Sequence, residues 1–286
     1  MNTSIVVLHY GDVGLTRKCL NSLSKEKSNF GEIVLVNNDS NIVLSSSAFP
    51  LIQQKLHIIN NKKNLGFSAG VNVGVKFALS KGADKILILN NDTKILKPIL
   101  KTLVAILDSD KSIGIVSPAI QFELNKKNIF DVGGKINKFF LRTSHDEVLS
   151  VNGLKSREVK YVSGAAMLIK KEVFKKIGFF DERFFLYYED VDFCLRAQKK
   201  GFKIIVDPEA VILHSLSKTI GKVSPLGVYY QTKSALVFAN KYAESILDRF
   251  RNLTFLICQN TLIAIKYPST GLASIKAFFN LPLREF

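Results

Sequence analysis

Four times in this chain a short, mostly aliphatic run stops at a cluster of asparagine, aspartate or histidine. Residues 5–8 (IVVL) end at His9-Tyr10, 33–36 (IVLV) at Asn37-Asn38-Asp39-Ser40, and 86–89 (ILIL) at Asn90-Asn91-Asp92. Residues 56–59 (LHII) lead into Asn64-Leu65-Gly66-Phe67-Ser68-Ala69-Gly70-Val71-Asn72. Runs of this length and content are those of strands buried on both faces. Helical patterns separate them: one with Leu15, Cys19, Leu20 and Leu23 on a single face, one from about Ser68 to Ser80, and one from about Pro98 to Leu107. That proline stands near the helix start, where a missing N–H does no harm. A further run at 113–116 closes the series. The alternation predicts an α/β fold with a mainly parallel central sheet flanked by helices. Ligands of such sheets collect beyond the carboxyl ends of the strands. Any one polar cluster is explicable as a turn; four at one sheet edge predict a lined cleft.

Residues 121–159 are more polar and less periodic, with Gly133-Gly134, and predict an inserted loop or small hairpin over the open end of the sheet. After them the pattern predicts a strand at 161–169, a short helix from Lys171, a helix from about Glu189, and strand-like pieces at 203–206 and 210–214. The glycines of the cluster at residues 64–72 would let backbone approach a ligand, and N–H groups at a helix start can hold an anion. Neither a Walker loop nor a GxGxxG fingerprint after the first strand is present, so a nucleotide would be held without either.

The chain has 286 residues, 47% hydrophobic and 22% charged, enough for one large globular domain or two small ones. Its net charge of +16 favours anionic partners. Nucleic acid is the runner-up partner on that ground, but no zinc-finger, helix-turn-helix or RNP-type pattern accompanies the charge. Cys19, Cys194 and Cys258 are scattered and odd in number, which suits a reducing compartment. The sequence has neither a signal-peptide pattern nor an uninterrupted apolar stretch of about 18 residues, so a cytoplasmic location is expected.

The clusters IVLVNNDS, NLGFSAGVNVG and ILILNNDT resemble the inverting glycosyltransferases of family 2, which have the GT-A fold. So does the run YVSGAAMLIKKEVFKKIGFFDERFFLYYEDVDFCLRAQKKGF, followed by VILH. The resemblance covers about residues 3–215 and lies nearest the rhamnosyltransferase-like branch that builds cell-surface polysaccharides. It implies a GT-A domain over 1–220, and it implies transfer of a sugar, rhamnose or a hexose, from a UDP- or dTDP-linked donor. The acceptor would be a saccharide, lipid-linked in many relatives, and the transfer would invert the anomeric centre in a single displacement.

The resemblance also distributes roles. Asp92, with Asn90 as a neutral partner, would hold Mg2+ or Mn2+ on the donor diphosphate, and His214 would complete the metal site. Asp190 would be the general base, with Glu189 and Asp192 supporting it; near a helix start these acids also suit the helix dipole, and Asp192 and Arg196 have the spacing of a helix-surface pair. His9, Tyr10, Asn37, Asn38, Ser40, Asn64, Gly66, Phe67, Asn72, Asn90, Asn91 and Asp92 would form the donor site. Asn37 stands where relatives usually carry Asp. Gly164, Ala165 and Glu189 would serve the acceptor, walled by Phe179, Phe180, Phe184 and Phe185, although such aromatics are more often core.

Residues 221–286 change character, with Lys241, Arg249, Arg251, Lys266 and Lys276 among apolar residues. They predict a basic, apolar helical extension that rests on a membrane surface, packs on the domain, or makes a homo-oligomer contact. Sugar nucleotidyltransferases share the α/β core, but Gly11-Asp12-Val13-Gly14-Leu15 matches their glycine-rich loop poorly. The remaining alternative is a nucleic-acid-binding or other non-catalytic nucleotide-binding α/β protein.

Overall fold

The computed structural model describes residues 2–26, 30–215 and 224–282. The strands are β1 (Thr3–His9), β2 (Ile33–Asn37), β3 (Leu56–Asn60), β4 (Lys85–Asn90), β5 (Thr93–Ile95), β6 (Ile113–Leu124), β7 (Lys127–Asn137), β8 (Arg142–Val148), β9 (Arg157–Glu158), β10 (Ala166–Lys170) and β11 (Lys203–His214). The α-helices are α1 (Val13–Ser22), α2 (Gly66–Ser80), α3 (Leu100–Ser109), α4 (Lys171–Ile177), α5 (Glu189–Lys199), α6 (Pro225–Tyr242), α7 (Ile246–Lys266) and α8 (Gly271–Phe278).

The sheet runs β3-β2-β1-β4-β10-β6-β11-β5. Its first four strands are parallel, β10 is antiparallel to both β4 and β6, and β6 and β11 are again parallel. Side chains of a strand alternate between faces. Accordingly Val6, Val34, Val36, Ile86 and Ile88 enter one core, and Ile5, Val7, Leu35, Leu87 and Leu89 the other. β1, β2 and β4 are thus buried on both faces, while β3 at the sheet edge is only half-buried. Register brings their polar ends to one edge: His9 pairs with Asn37, Leu8 with Asn90, and Asn37 with Asn60.

Gly70, which the sequence suggested for ligand approach, serves packing instead, as does Gly74 a turn later. A Cβ on Gly70 would lie 2.6 Å from Leu8 Cδ1, and one on Gly74 2.5 Å from Val6 Cγ1, so both let α2 press onto β1. The start of α3 lies at Leu100, and the buried Glu26 carboxylate accepts the N–H groups of Ile99 and Leu100 there. A distant acid therefore caps this helix.

Residues 121–159 form more structure than a loop. β6 continues to Leu124, and β7 and β8 follow as an antiparallel meander. The strand predicted at 161–169 begins only at Ala166, because the preceding segment leaves the sheet to line its open end. The pieces at 203–206 and 210–214 are one strand with a register irregularity between Asp207 and Val211.

Helices α6, α7 and α8 pack together: Asn260 Oδ1 of α7 accepts from Thr232 Oγ1 of α6 (2.9 Å) and from Ser274 Oγ of α8 (3.0 Å), and Tyr229 of α6 packs on Ala273 and Ala277 of α8. Among the described residues no helix is long and apolar enough to cross a membrane. Helices α7 and α8 nonetheless expose Ile246, Leu247, Phe250, Leu262, Ile265, Leu272 and Ile275.

Candidate active site

A cleft of about 540 Å³ opens at the carboxyl ends of the parallel strands. Leu8, Tyr10, Asn38, Asn90, Asn91 and Asp92 line its sheet side, and Asn64, Gly66, Phe67 and Phe185 one wall. Asp131, His145 and Glu147 of the β7–β8 hairpin also line it, as do Gly164, Ala165, Glu189 and Asp190, with Gly164 between Phe67 and Asp190. Leu226, Tyr230 and Gln231 of α6 complete the rim.

Asp92 lies just past β4 and is 6% exposed. Its Oδ1 is 3.0 Å from His214 Nε2, so the end of β11 meets the end of β4. Its Oδ2 is buried without a hydrogen-bond partner. An unsatisfied buried carboxylate oxygen is costly and suits a cation. Among the described residues no cluster of three or more His, Cys, Asp or Glu surrounds a common point. Hard cations that keep water and bind substrate phosphates need only one or two protein carboxylates. Asp92, with His214 beside it, fits such an ion held jointly with a diphosphate.

The asparagines divide into two groups. Asn38 lines the cleft and organises its wall: Nδ2 donates to Asn64 Oδ1 (2.9 Å) and Gly66 O (3.0 Å), while Oδ1 accepts from Leu65 N and Asn61 Nδ2 (both 3.1 Å). Asn91 donates to Thr16 Oγ1 at 2.9 Å. By contrast His9, Asn37, Ser40 and Asn72 are not among the lining residues. His9 is fully buried, its Nδ1 2.6 Å from Thr16 Oγ1, and burial lowers its pKa. Asn37 is turned to Ile42 O and Asn60 Oδ1 (both 2.8 Å), stitching β2 to β3. Asn72 exchanges hydrogen bonds with the backbone of Phe180 (2.9 and 3.0 Å). The side chains of His9, Asn37 and Asn72 thus satisfy backbone or a neighbour that burial would otherwise strand, while Ser40 is exposed in the turn after β2.

The expected anion site at the start of α2 is also corrected. Gly66 N donates to Asn64 Oδ1, Leu65 N to Asn38 Oδ1, and Phe67 N to Phe185 O (2.6 Å), so these first-turn donors are taken. Gly66 has φ +78°, and a Cβ there would lie 2.6 Å from Phe185 O. The segment Phe184-Phe185 is thereby held on α2.

That segment delivers the acids. Tyr187 and Tyr188 both have φ of 69°, a left-handed conformation that non-glycine residues adopt at a cost of about 1–3 kcal/mol. The turn places Glu189 and Asp190 at the first turn of α5. Asp190 Oδ2 accepts from Gly164 N (2.9 Å) and Oδ1 from Val191 N (2.8 Å), leaving lone pairs for a hydroxyl donor. Desolvation raises its pKa, partly opposed by the Gly164 N–H and by the charge of His145. Glu189 is 6% exposed, and burial with the adjacent Asp190 charge pushes its pKa well up.

Other expected roles change. Asp192 and Arg196 do pair (2.8 Å), but Asp192 is fully buried rather than on a helix surface. Phe180 and Phe184 belong to the core, where Phe180 stacks on Phe193, while Phe185 lines the cleft and stacks on Tyr230. Leu15 lines the cleft, and Thr16 takes its place among the buried residues of α1. Asp131, His145 and Glu147 escaped the sequence reading; the only local signal was Gly133-Gly134, whose close packing against Val159 and Tyr161 needs the fold to be visible.

Residues 2–244 match the family described as glycosyltransferase like family 2. The chain is 26% identical over 255 residues to the dTDP-rhamnosyl transferase RfbF of Shigella flexneri, covering 86% of this chain and 83% of that protein. Over 82 residues it is 34% identical to the N-acetylglucosaminyl-diphospho-decaprenol L-rhamnosyltransferase of Mycobacterium tuberculosis, covering 29% of this chain and 27% of that one. In fold it is similar to GalNAc-T7 crystallised with UDP, GalNAc and Mn2+, with a TM-score of 0.62 at 14% identity over 93% of this chain. It spans 58% of that longer chain. The chain belongs to the glycosyltransferase-like family 2, is similar in sequence to relatives named as rhamnosyltransferases, and has the GT-A fold that its sequence motifs resemble.

Proposed function

We propose that this protein is an inverting glycosyltransferase that moves rhamnose or a hexose from a dTDP- or UDP-linked donor to a saccharide. The observation that carries the reading is that Asp190 and the Asp92–His214 pair open on one cleft at the carboxyl edge of the sheet. Asp190 accepts the proton of an acceptor hydroxyl as that oxygen bonds to the anomeric carbon. The bond from that carbon to the diphosphate oxygen breaks, and the nucleoside diphosphate leaves with the electron pair from the opposite face. Asp92 and His214 would hold Mg2+ or Mn2+, which supplies charge neutralisation at the departing diphosphate. Asn38, Asn64, Gly66 and Phe67 form the wall on the donor side, and Tyr10, Asn90 and Asn91 the sheet side. Gly164, Ala165 and Glu189 adjoin the acceptor.

The names of the rhamnosyl-transferring relatives support a deoxyhexose donor and a lipid-linked acceptor. An extension from about residue 221 suits that acceptor. The exposed apolar side chains of α7 and α8, with Arg249, Lys266 and Lys276 on the same helices, have the composition of a surface that rests on an anionic bilayer. The +16 charge then finds its anionic partners in nucleotide and lipid rather than nucleic acid.

The test is thermal unfolding with UDP, dTDP and GDP, each with and without Mn2+ or Mg2+. A ligand that binds the native state raises stability by mass action. A metal-dependent shift with dTDP or UDP that disappears in Asp92→Ala is expected. No shift with any diphosphate overturns the reading.

A further inference from the structure

The β7–β8 hairpin carries chemistry that the proposed transfer does not yet use. Asp131, on β7 at a break in the β7–β8 register, is 6% exposed. Its Oδ1 accepts from Gly133 N (2.9 Å), and its Oδ2 lies 2.7 Å from His145 Nδ1 on β8. Tyr161 meets the imidazole edge to face, with centroids 5.2 Å apart. The hairpin can sit this low only because residue 134 is glycine, where a Cβ would come within 2.2 Å of Tyr161 Cζ. The ring is therefore fixed by one nitrogen and one aromatic contact. A carboxylate that orients an imidazole through Nδ1 leaves Nε2 directed elsewhere, and His145 lines the cleft together with Asp190.

Among the described residues, the charges that act on His145 are carboxylates: Asp131 from β7, Asp190 from α5 and Glu147 from β8, with Glu189 beside Asp190. Burial works against the imidazolium, but the Asp131 hydrogen bond and the surrounding carboxylates outweigh it and raise the His145 pKa. The interaction is mutual, for the His145 charge favours the ionised form of Asp190.

We propose that His145, held by Asp131, is a positioning residue for this transfer: its cation stands at the acceptor end of the cleft and keeps Asp190 ionised and ready for the hydroxyl proton. The inference rests on the glycosyltransferase reading above. It accounts for an imidazole oriented by Asp131 in a cleft that also holds Glu189, Asp190 and Glu147, the other imidazole there, His214, being paired with Asp92. It also gives the hairpin a part in the reaction.

Coupling between two sites is reciprocal. In the full-length protein, the His145 ring resonance is identified by its loss in His145→Gln, and its titration is followed by NMR without any substrate. Asp190→Asn and Asp131→Asn are each expected to lower the His145 midpoint, by about half to one pH unit. A midpoint unmoved by Asp190→Asn overturns the proposal. The functional arm uses hydrolysis of dTDP-rhamnose, UDP-glucose or UDP-N-acetylglucosamine with Mn2+, water taking the acceptor's place. In His145→Gln the acid limb of kcat/KM is expected to move to higher pH, with up to about ten-fold loss on that limb and convergence on wild type at alkaline pH. Nucleoside diphosphate binding should not change. A uniform loss at every pH indicates a merely structural role and overturns the proposal, as does no change at all. If His145→Gln does not fold, Asp131→Asn carries both arms. A wild-type protein that neither binds a nucleoside diphosphate nor hydrolyses any donor overturns the glycosyltransferase reading itself, whereas failure confined to the variants overturns only the role of His145.

Discussion

Asp192 on α5 and Lys241 on α6 approach to 2.5 Å, and Asp192 has no exposed surface. Arg196 Nε (2.8 Å) and the Tyr242 hydroxyl (2.7 Å) complete the shell around this carboxylate, and Lys241 also reaches Asp181 (2.6 Å). The helix that starts with Glu189 and Asp190 is thus tied to the first C-terminal helix by a buried charge network. Removing one partner of a buried ion pair leaves the other uncompensated. Lys241→Met is expected to cost about 3 kcal/mol, the low end for such a change because Arg196 and Tyr242 still serve Asp192. Urea unfolding measures it, and a loss under 1 kcal/mol would show the network to be solvated.

Asp92 has one buried oxygen without a partner and His214 on the other. Asp92→Ala is expected to abolish metal-dependent stabilisation by dTDP or UDP, which for wild type is about 2.7 kcal/mol at ligand a hundred times above Kd. His214→Ala should weaken it less, since the carboxylate supplies the charge. Equal stabilisation of wild type and Asp92→Ala in a thermal scan would remove Asp92 from the diphosphate site.

Glu189 is buried, its Oε2 lacks a partner, and its pKa is raised in the fold. A carboxyl whose folded pKa exceeds its unfolded one contributes most below the unfolded value, and the contribution is lost as pH rises through the folded value. Glu189→Gln is therefore expected to stabilise the protein at pH 8 by about 0.5–2 kcal/mol, with the advantage shrinking toward pH 4. Calorimetry at the two pH values decides it; a variant less stable than wild type at pH 8 would mean that the ionised form is satisfied.

Phe250 (69% exposed) and Ile265 (73%) stand on α7 together with Arg249, Arg251 and Lys266. Phe250→Glu with Ile265→Glu is expected to lower partitioning onto phosphatidylglycerol vesicles at least ten-fold, each buried apolar side chain being worth about 1.5–3 kcal/mol. Phosphatidylcholine vesicles should bind wild type weakly. If wild type ignores both vesicles and sediments as a dimer that the double variant dissolves, the apolar face joins two copies instead.

The strands at 5–8, 33–36 and 86–89 were legible because burial on both faces demands continuous aliphatics, a requirement local to each strand. The end of each strand was legible too, since polar residues cannot continue into such a core. Asp92, His214, Asp190 and Gly164 could be named from motif order, and the fold brings them to one cleft. The β7–β8 meander was read as a loop or small hairpin because its strands are solvated on part of their surface and its glycines break the alternation.

What the sequence determined by itself is the α/β layering, the edge at which polar residues gather, and the family whose motifs it carries, all set by short-range pattern. What only the tertiary structure decided is which polar side chains face the cleft. Asn37 and Asn38 are neighbours in the chain, yet Asn37 holds β2 to β3 while Asn38 lines the cavity. Asp131 and His145 meet because two antiparallel strands and a glycine bring them down on Tyr161. Successive residues of an extended chain point to opposite sides. Which side becomes cleft depends on strands distant in sequence, a long-range choice that no local pattern records.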